Sequence, residues 1–95
     1  MDLEQLRIFV AVARCGSFSQ GAKKLYISHS TTSRAVAALE AALGVRLLER
    51  GNRVLGLTAA GECLLKEAEA LLSAAEESAE RVRAAAEEQE RKKGE

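Results

Sequence analysis

Leu3, Leu6, Val10 and Ala13 recur at spacings of three and four, with Phe9 and Val12 beside them, which predicts an amphipathic helix from about Leu3 to Arg14. Cys15-Gly16 ends it, because glycine enters the left-handed conformation at a helix C-terminus without steric cost. Ser17-Phe18-Ser19 supplies the next start, with Ser19 as the expected N-cap. Behind it Ala22, Leu25 and Tyr26 form the apolar face of a short second helix whose outer side carries Gln20, Lys23 and Lys24. Ser28 caps a third helix from His29 to Leu43, in which Thr32, Val36, Leu39 and Leu43 repeat at spacings of four, three and four before Gly44 closes it. The opposite face holds His29, Ser30, Ser33, Arg34, Ala37 and Ala41, with an acid, Glu40, only far along. Small residues around one long cation let such a face approach another surface closely.

Two short apolar runs follow, Val45 to Glu49 and Val54 to Leu57, separated by Arg50-Gly51-Asn52-Arg53. Gly-Asn between apolar runs predicts a tight hairpin, with an arginine on each side of its tip. Thr58 is a plausible N-cap for a last helix, although Gly61 stands where a capping box has Glu or Gln. From there Leu65, Ala68, Leu72, Ala75, Ala79, Val82, Ala86 and Gln89 alternate spacings of three and four, a heptad pattern of the coiled-coil kind. A helix from Ala59 to near Arg91 is roughly 50 Å long, more than the front core can cover, so it calls for a partner helix. Unpaired, it would leave Leu64, Leu65, Leu71 and Leu72 exposed. Helix, helix, turn, helix, hairpin is the order of a winged helix-turn-helix. The expected fold is therefore mainly α: three helices and a two-stranded wing over residues 1–58, a dimerisation helix over 59–91 and a frayed tail over 92–95.

Composition narrows the function classes. The chain has 95 residues, 3% aromatics and no proline, so one small domain with an aliphatic helical core is expected and a large multidomain enzyme is excluded. No apolar run approaches the ~18 residues of a membrane span, and the first residues carry acid where a secretory signal carries base, so the expected location is cytoplasmic, away from membranes. Cys15 and Cys63 stand in no metal-ligand spacing with His29, the single histidine; both are read as reduced, buried structural residues, with no metal and no cofactor. One histidine, two isolated cysteines and no clustered acids do not furnish a nucleophile, a base and its orienter, which argues against an enzyme. The zero net charge hides a division: residues 1–58 carry eight Lys and Arg against four acids, and residues 59–95 six against ten. A basic front suits phosphate and an acidic rear avoids it.

The stretches Leu6-Arg7-Ile8-Phe9-Val10-Ala11-Val12-Ala13, Gly16-Ser17-Phe18-Ser19, Ser33-Arg34, Leu39-Glu40 and Leu43-Gly44-Val45 resemble the N-terminal domain of LysR-type transcriptional regulators. So do Leu47-Leu48-Glu49-Arg50 and Leu57-Thr58-Ala59-Ala60-Gly61-Glu62, and all occur in order over about the first seventy residues. The following helix is similar to that family's linker helix. The resemblance implies a regulator of bacterial transcription that binds an inverted-repeat site on double-stranded DNA as a dimer, the linker helices pairing in antiparallel fashion. Three features depart from the family pattern. The third helix starts Ser28-His29-Ser30 rather than Ser-Gln-Pro, so His29 takes the place of a base-reading glutamine; an uncharged histidine offers one donor nitrogen and one acceptor nitrogen, so this contact is expected to strengthen as pH falls. The family's small-residue pair in the second helix appears as Gly21-Ala22, which is expected to loosen that helix. Val54 and Gly56 stand where the wing is commonly basic, leaving Arg53 more isolated. The family's effector-binding domain is absent after Glu95, so an effector ligand is implied only for a longer chain; an excised domain and a stand-alone DNA-binding dimer are both open, the abrupt end favouring the first.

Within this frame Arg34 either reaches a guanine edge or phosphate or pairs with an acid of the head. Ser28, Ser30, Thr31 and Ser33 offer short hydrogen-bonding groups at a helix start that itself favours phosphate, and capping explains Ser28 equally well. Arg50 and Arg53 are candidate wing contacts, Lys23 and Lys24 a solvated face, and Tyr26 and Phe9 core. Leu65, Ala68, Leu72, Ala75, Ala79 and Val82 are the expected dimer seam. The rival function is a dimerisation module that sequesters a full-length regulator in a mixed dimer, which does not itself need to bind DNA.

Overall fold

A computed structural model describes residues 1–49 and 56–94. The order is α1 (Leu3–Cys15), α2 (Phe18–Leu25), α3 (His29–Leu43), β1 (Leu48–Glu49), β2 (Gly56–Leu57) and α4 (Ala59–Lys93). The fold is mainly α, three helices with a two-stranded antiparallel wing and then a long helix, as the periodicity predicts. The hairpin tip, with Arg50 and Arg53, lies outside the described residues.

Each helix start is held by a side chain. The Asp2 carboxylate accepts the Gln5 amide at 2.8 Å while the Gln5 side chain accepts the Asp2 amide at 3.2 Å, a capping box written in the Asp-x-x-Gln spacing. Gly16 closes α1 in the left-handed conformation at φ 67°, and Ser17 at once caps α2 by accepting the Gln20 amide at 3.2 Å. The cap is thus Ser17 and not Ser19: once Gly16 has turned the chain, Ser17 is the first extended residue, and Ser19 sits exposed in the first turn of α2.

The core is centred on α1, which packs against α2, α3 and α4. Because three elements surround it, Leu6, Ile8, Phe9, Ala11 and Val12 are all buried, whereas Leu3 at the end of the expected stripe is 44% exposed. Thr32, Val36 and Leu39 bring α3 to this core; Leu43, the last of its expected stripe, is 42% exposed. Gly21 has a packing role beside any loosening of α2. A Cβ there would stand 3.0 Å from the Val12 backbone, so the glycine permits the close approach of α2 to α1.

The wing is tied to the helices at its base. β1 and β2 pair Leu48 with Leu57 and Glu49 with Gly56, and Leu47 and Leu48 are buried. The Glu40 carboxylate accepts the Leu47 amide at 2.8 Å, linking α3 to the entry of β1. Thr58 closes the exit: its amide donates to the Leu47 carbonyl at 3.1 Å, its hydroxyl donates to the Arg46 carbonyl at 2.6 Å, and the same oxygen accepts the Gly61 amide at 3.0 Å. Gly61 is required by contact, since a Cβ there would lie 2.0 Å from the Leu47 carbonyl oxygen. That explains the missing Glu or Gln of the capping box.

The first turns of α4 belong to the head: Gly61, Leu64 and Ala68 are buried and Leu65 packs against the core. Leu64 and Leu65 therefore need no partner helix, contrary to the expectation for an unpaired α4. Beyond Ala68 the helix leaves the head and gives the molecule its 64 Å length. Both cysteines are exposed, Cys15 in the last turn of α1 and Cys63 on the outer side of α4, which corrects their reading as buried structural residues. Among the described residues no helix is long and apolar enough to cross a membrane.

Candidate nucleic-acid interface

The outer face of α3 is assembled from its start onward. Ser28 accepts the Thr31 amide at 3.1 Å as N-cap, and its hydroxyl also donates to the Thr31 hydroxyl at 2.8 Å and lies 3.3 Å from that of Ser30. Ser28 is therefore committed to capping, while all three hydroxyls remain exposed to solvent. Thr32 turns the other way, fully buried, its hydroxyl donating to the Ser28 carbonyl at 2.9 Å. The His29 ring tilts over Phe18 with centroids 5.8 Å apart, so the start of α3 is braced on the start of α2 while His29 stays exposed. Ser33 is half-buried one turn in, and Arg34, Ala37 and Ala41 continue the exposed face.

Arg34 makes no ion pair or hydrogen bond among the described residues, so the salt bridge considered for it is absent there. The contrast with α1 is direct. Arg7 pairs with Glu4 at 2.9 Å, and Arg14 pairs with Glu69 at 2.6 Å. The Glu69 hydrogen bonds, reinforced by its charge, hold the Arg14 guanidinium above its ordinary pKa range. Lys23, Lys24 and Arg46 are exposed and make no ion pair among the described residues. Among the described residues before α4, the unneutralised cations thus lie on α2, on α3 and at the wing base. Arg50 and Arg53, the expected wing contacts, fall outside the described residues.

Tyr26 departs from its expected place, and Arg46 had none. Tyr26 is 95% exposed rather than core, because it is the C-cap of α2 and adopts φ 57°, which swings its side chain away from the apolar face. Arg46 was not singled out by the sequence pattern; a lone cation between Gly44 and the first strand carries little periodic signal. In α4 the expected seam divides: Ala68 is fully buried in its own head and Leu65 packs against that core, Leu72, Ala75 and Ala79 are half-exposed, and Val82 is 69% exposed. Only the last four face outward. Leu71, exposed at 43%, lies on a second α4 face that runs through Cys63 and Glu67 beside Leu43 and Val45. Leu43, Val45, Cys63 and Glu67 border a groove of about 300 Å³.

Residues 3–62 match the family model of the bacterial regulatory helix-turn-helix proteins of the lysR family. The chain is 46% identical over 86 residues to the HTH-type transcriptional regulator TcbR of a Pseudomonas species, a match covering 90% of this chain and 29% of that protein. It is 46% identical over 83 residues to the Hca operon transcriptional activator HcaR of Escherichia coli, covering 87% of this chain and 28% of the relative. The chain thus spans under a third of the length of these relatives. Among solved structures, the CbnR_DBD–DNA complex superposes with a TM-score of 0.87 at 46% identity, covering 90% of this chain and 99% of that one. The BenM_DBD/catB site 1 DNA complex gives 0.85 at 38% identity, covering 87% and 92%. With the helix order, the wing and the long following helix already in place, these matches show that the chain belongs to the lysR family of bacterial regulatory helix-turn-helix proteins.

Proposed function

We propose that this chain reads double-stranded DNA as the DNA-binding head of a LysR-type transcriptional regulator, working in the cytoplasm as a dimer on an inverted-repeat site. The observation that carries the reading is the outer face of α3: Arg34 stands free of any ion pair among the described residues, on an exposed strip of small residues beginning at the helix N-terminus. Small neighbours let the helix axis come close to a groove floor, and the hydroxyls of Ser30, Thr31 and Ser33 suit phosphate oxygens beside it. In this reading His29 and Arg34 meet base edges, Ser28 keeps the helix start rigid, and Arg50 and Arg53 meet flanking phosphates. Residues 1–58 form the reader together with the first turns of α4; the rest of α4 joins two protomers through Leu72, Ala75, Ala79 and Val82. The structural relatives named as DNA complexes support it. A module that only sequesters a regulator has no use for an unneutralised arginine on α3, and that reading is not favoured.

Selection of bound duplexes from a random pool tests the proposal. It predicts enrichment of two half-sites in inverted orientation, with binding that weakens steeply as salt is raised. Recovery of unenriched sequence, or binding indifferent to salt, would remove the reader role and restore the sequestering one.

A further inference from the structure

Of the ion pairs between described residues, four lie within a single helix, while Arg14–Glu69 alone joins two. It does so at a particular place. Ala68 is the last buried residue of α4, so Glu69 marks the point where that helix leaves the head. Arg14 lies in the last turn of α1, the helix at the centre of the head's core. Three donor–acceptor contacts hold the pair: Nε to Oε2 at 3.0 Å, and Nη2 to Oε1 and Oε2 at 2.6 and 2.8 Å. Two planar groups meeting in this forked way resist rotation about either axis, which a single lysine contact does not. Burial of Gly61, Leu64 and Ala68 fixes α4 near its start, and the Arg14–Glu69 pair adds a contact at the exit point.

We infer that the Arg14–Glu69 pair sets the angle at which the head is carried on α4, and through that angle the separation of the two α3 helices in a DNA-bound dimer. Both are positioning residues, with no contact to DNA. The inference rests on the dimeric reading proposed above and names what determines its half-site spacing. Leverage makes a rim contact matter. From Glu69 to Ala79 is about 15 Å of helix, so a tilt of about 10° displaces that seam position by about 3 Å. That is comparable to the rise of one base pair, about 3.4 Å. A pair this exposed contributes little to holding the head folded, yet a small bias in tilt is read directly as preference among spacings.

The test compares wild type, Glu69→Gln and the exchange Arg14→Glu with Glu69→Arg on duplexes whose half-sites are moved apart one base pair at a time. Each protein is also measured on a duplex with a single half-site. Glu69→Gln is expected to reduce the affinity ratio between the preferred spacing and its neighbours by roughly two- to fivefold, with single half-site affinity unchanged and the exchange restoring the ratio. An unaltered ratio, or an equal loss on the single half-site, overturns the inference. A second measurement is independent of DNA. Spin labels at Lys24→Cys and Ser78→Cys, with Cys15 and Cys63 changed to serine and labelled chains diluted into unlabelled ones, report the distance between head and distal helix. Glu69→Gln should broaden or shift that distribution; an identical distribution sinks the latch even if the wild type binds no duplex, the result that would instead defeat the reader itself.

Discussion

A guanidinium at mid-helix with no carboxylate to satisfy it is available to whatever α3 meets. If Arg34 reaches a base edge, Arg34→Ala costs about 1–3 kcal/mol on the selected site and little on random duplex, as measured by titration of both. Equal losses on the two would make it a phosphate contact. Gly61 makes the opposite kind of residue-scale claim, since its neighbour is a backbone carbonyl that has no rotamer to change. Gly61→Ala should destabilise the head by about 1–3 kcal/mol or more, read as a fall of several degrees in Tm. An unshifted melting curve would mean that the wing base moves aside freely. Residue identity alone does not reveal this requirement. Arg34 is legible in the sequence because it stands out on a face of small residues, whereas the need for glycine at 61 arises from a carbonyl fourteen residues earlier in the chain. Tyr26 is hidden for a related reason: its spacing fits the apolar face of α2, and only the left-handed cap turns it outward.

At the scale of elements, helix existence and order follow from periodicity and caps, which are local properties, and α3 appears between the residues expected of it. What periodicity does not tell is which partner an apolar stripe meets. The α4 heptad is continuous from Leu65, yet its first two members face the chain's own core and only those from Leu72 onward face away. The same pattern thus serves two partners in succession. The consequence is testable by placing a charge on either side of the exit point. Leu72→Glu should dissociate the dimer in sedimentation equilibrium while leaving the melting of the head nearly unchanged. Ala68→Glu should unfold the head, because the carboxylate would be buried without a partner. If Leu72→Glu still sediments as a dimer, the protomers meet elsewhere, and the face through Cys63, Glu67 and Leu71 becomes the place to look.

For the whole molecule, the zero net charge says little, and the placement of paired and unpaired cations says more. Of the eight Lys and Arg in residues 1–58, Arg7 and Arg14 are neutralised by Glu4 and Glu69, while the acid excess of residues 59–95 lies along α4. Four cations of the head's described residues, Lys23, Lys24, Arg34 and Arg46, are then left to displace counterions from DNA, and the proposed wing contacts Arg50 and Arg53 would raise the number to six per head. A dimer engaging all twelve would show a slope of log affinity against log salt of about −11, and engaging fewer makes it shallower. Arg53→Ala should weaken binding to every sequence alike and flatten the slope by about two per dimer. Arg7→Gln should leave the slope where it is, since its charge is already answered within α1. Measured over a salt series on one duplex, a slope steeper than the twelve-cation limit, or one that Arg7→Gln flattens, would show that the paired arginines also meet the phosphates and that the division of charge drawn from the ion pairs is wrong.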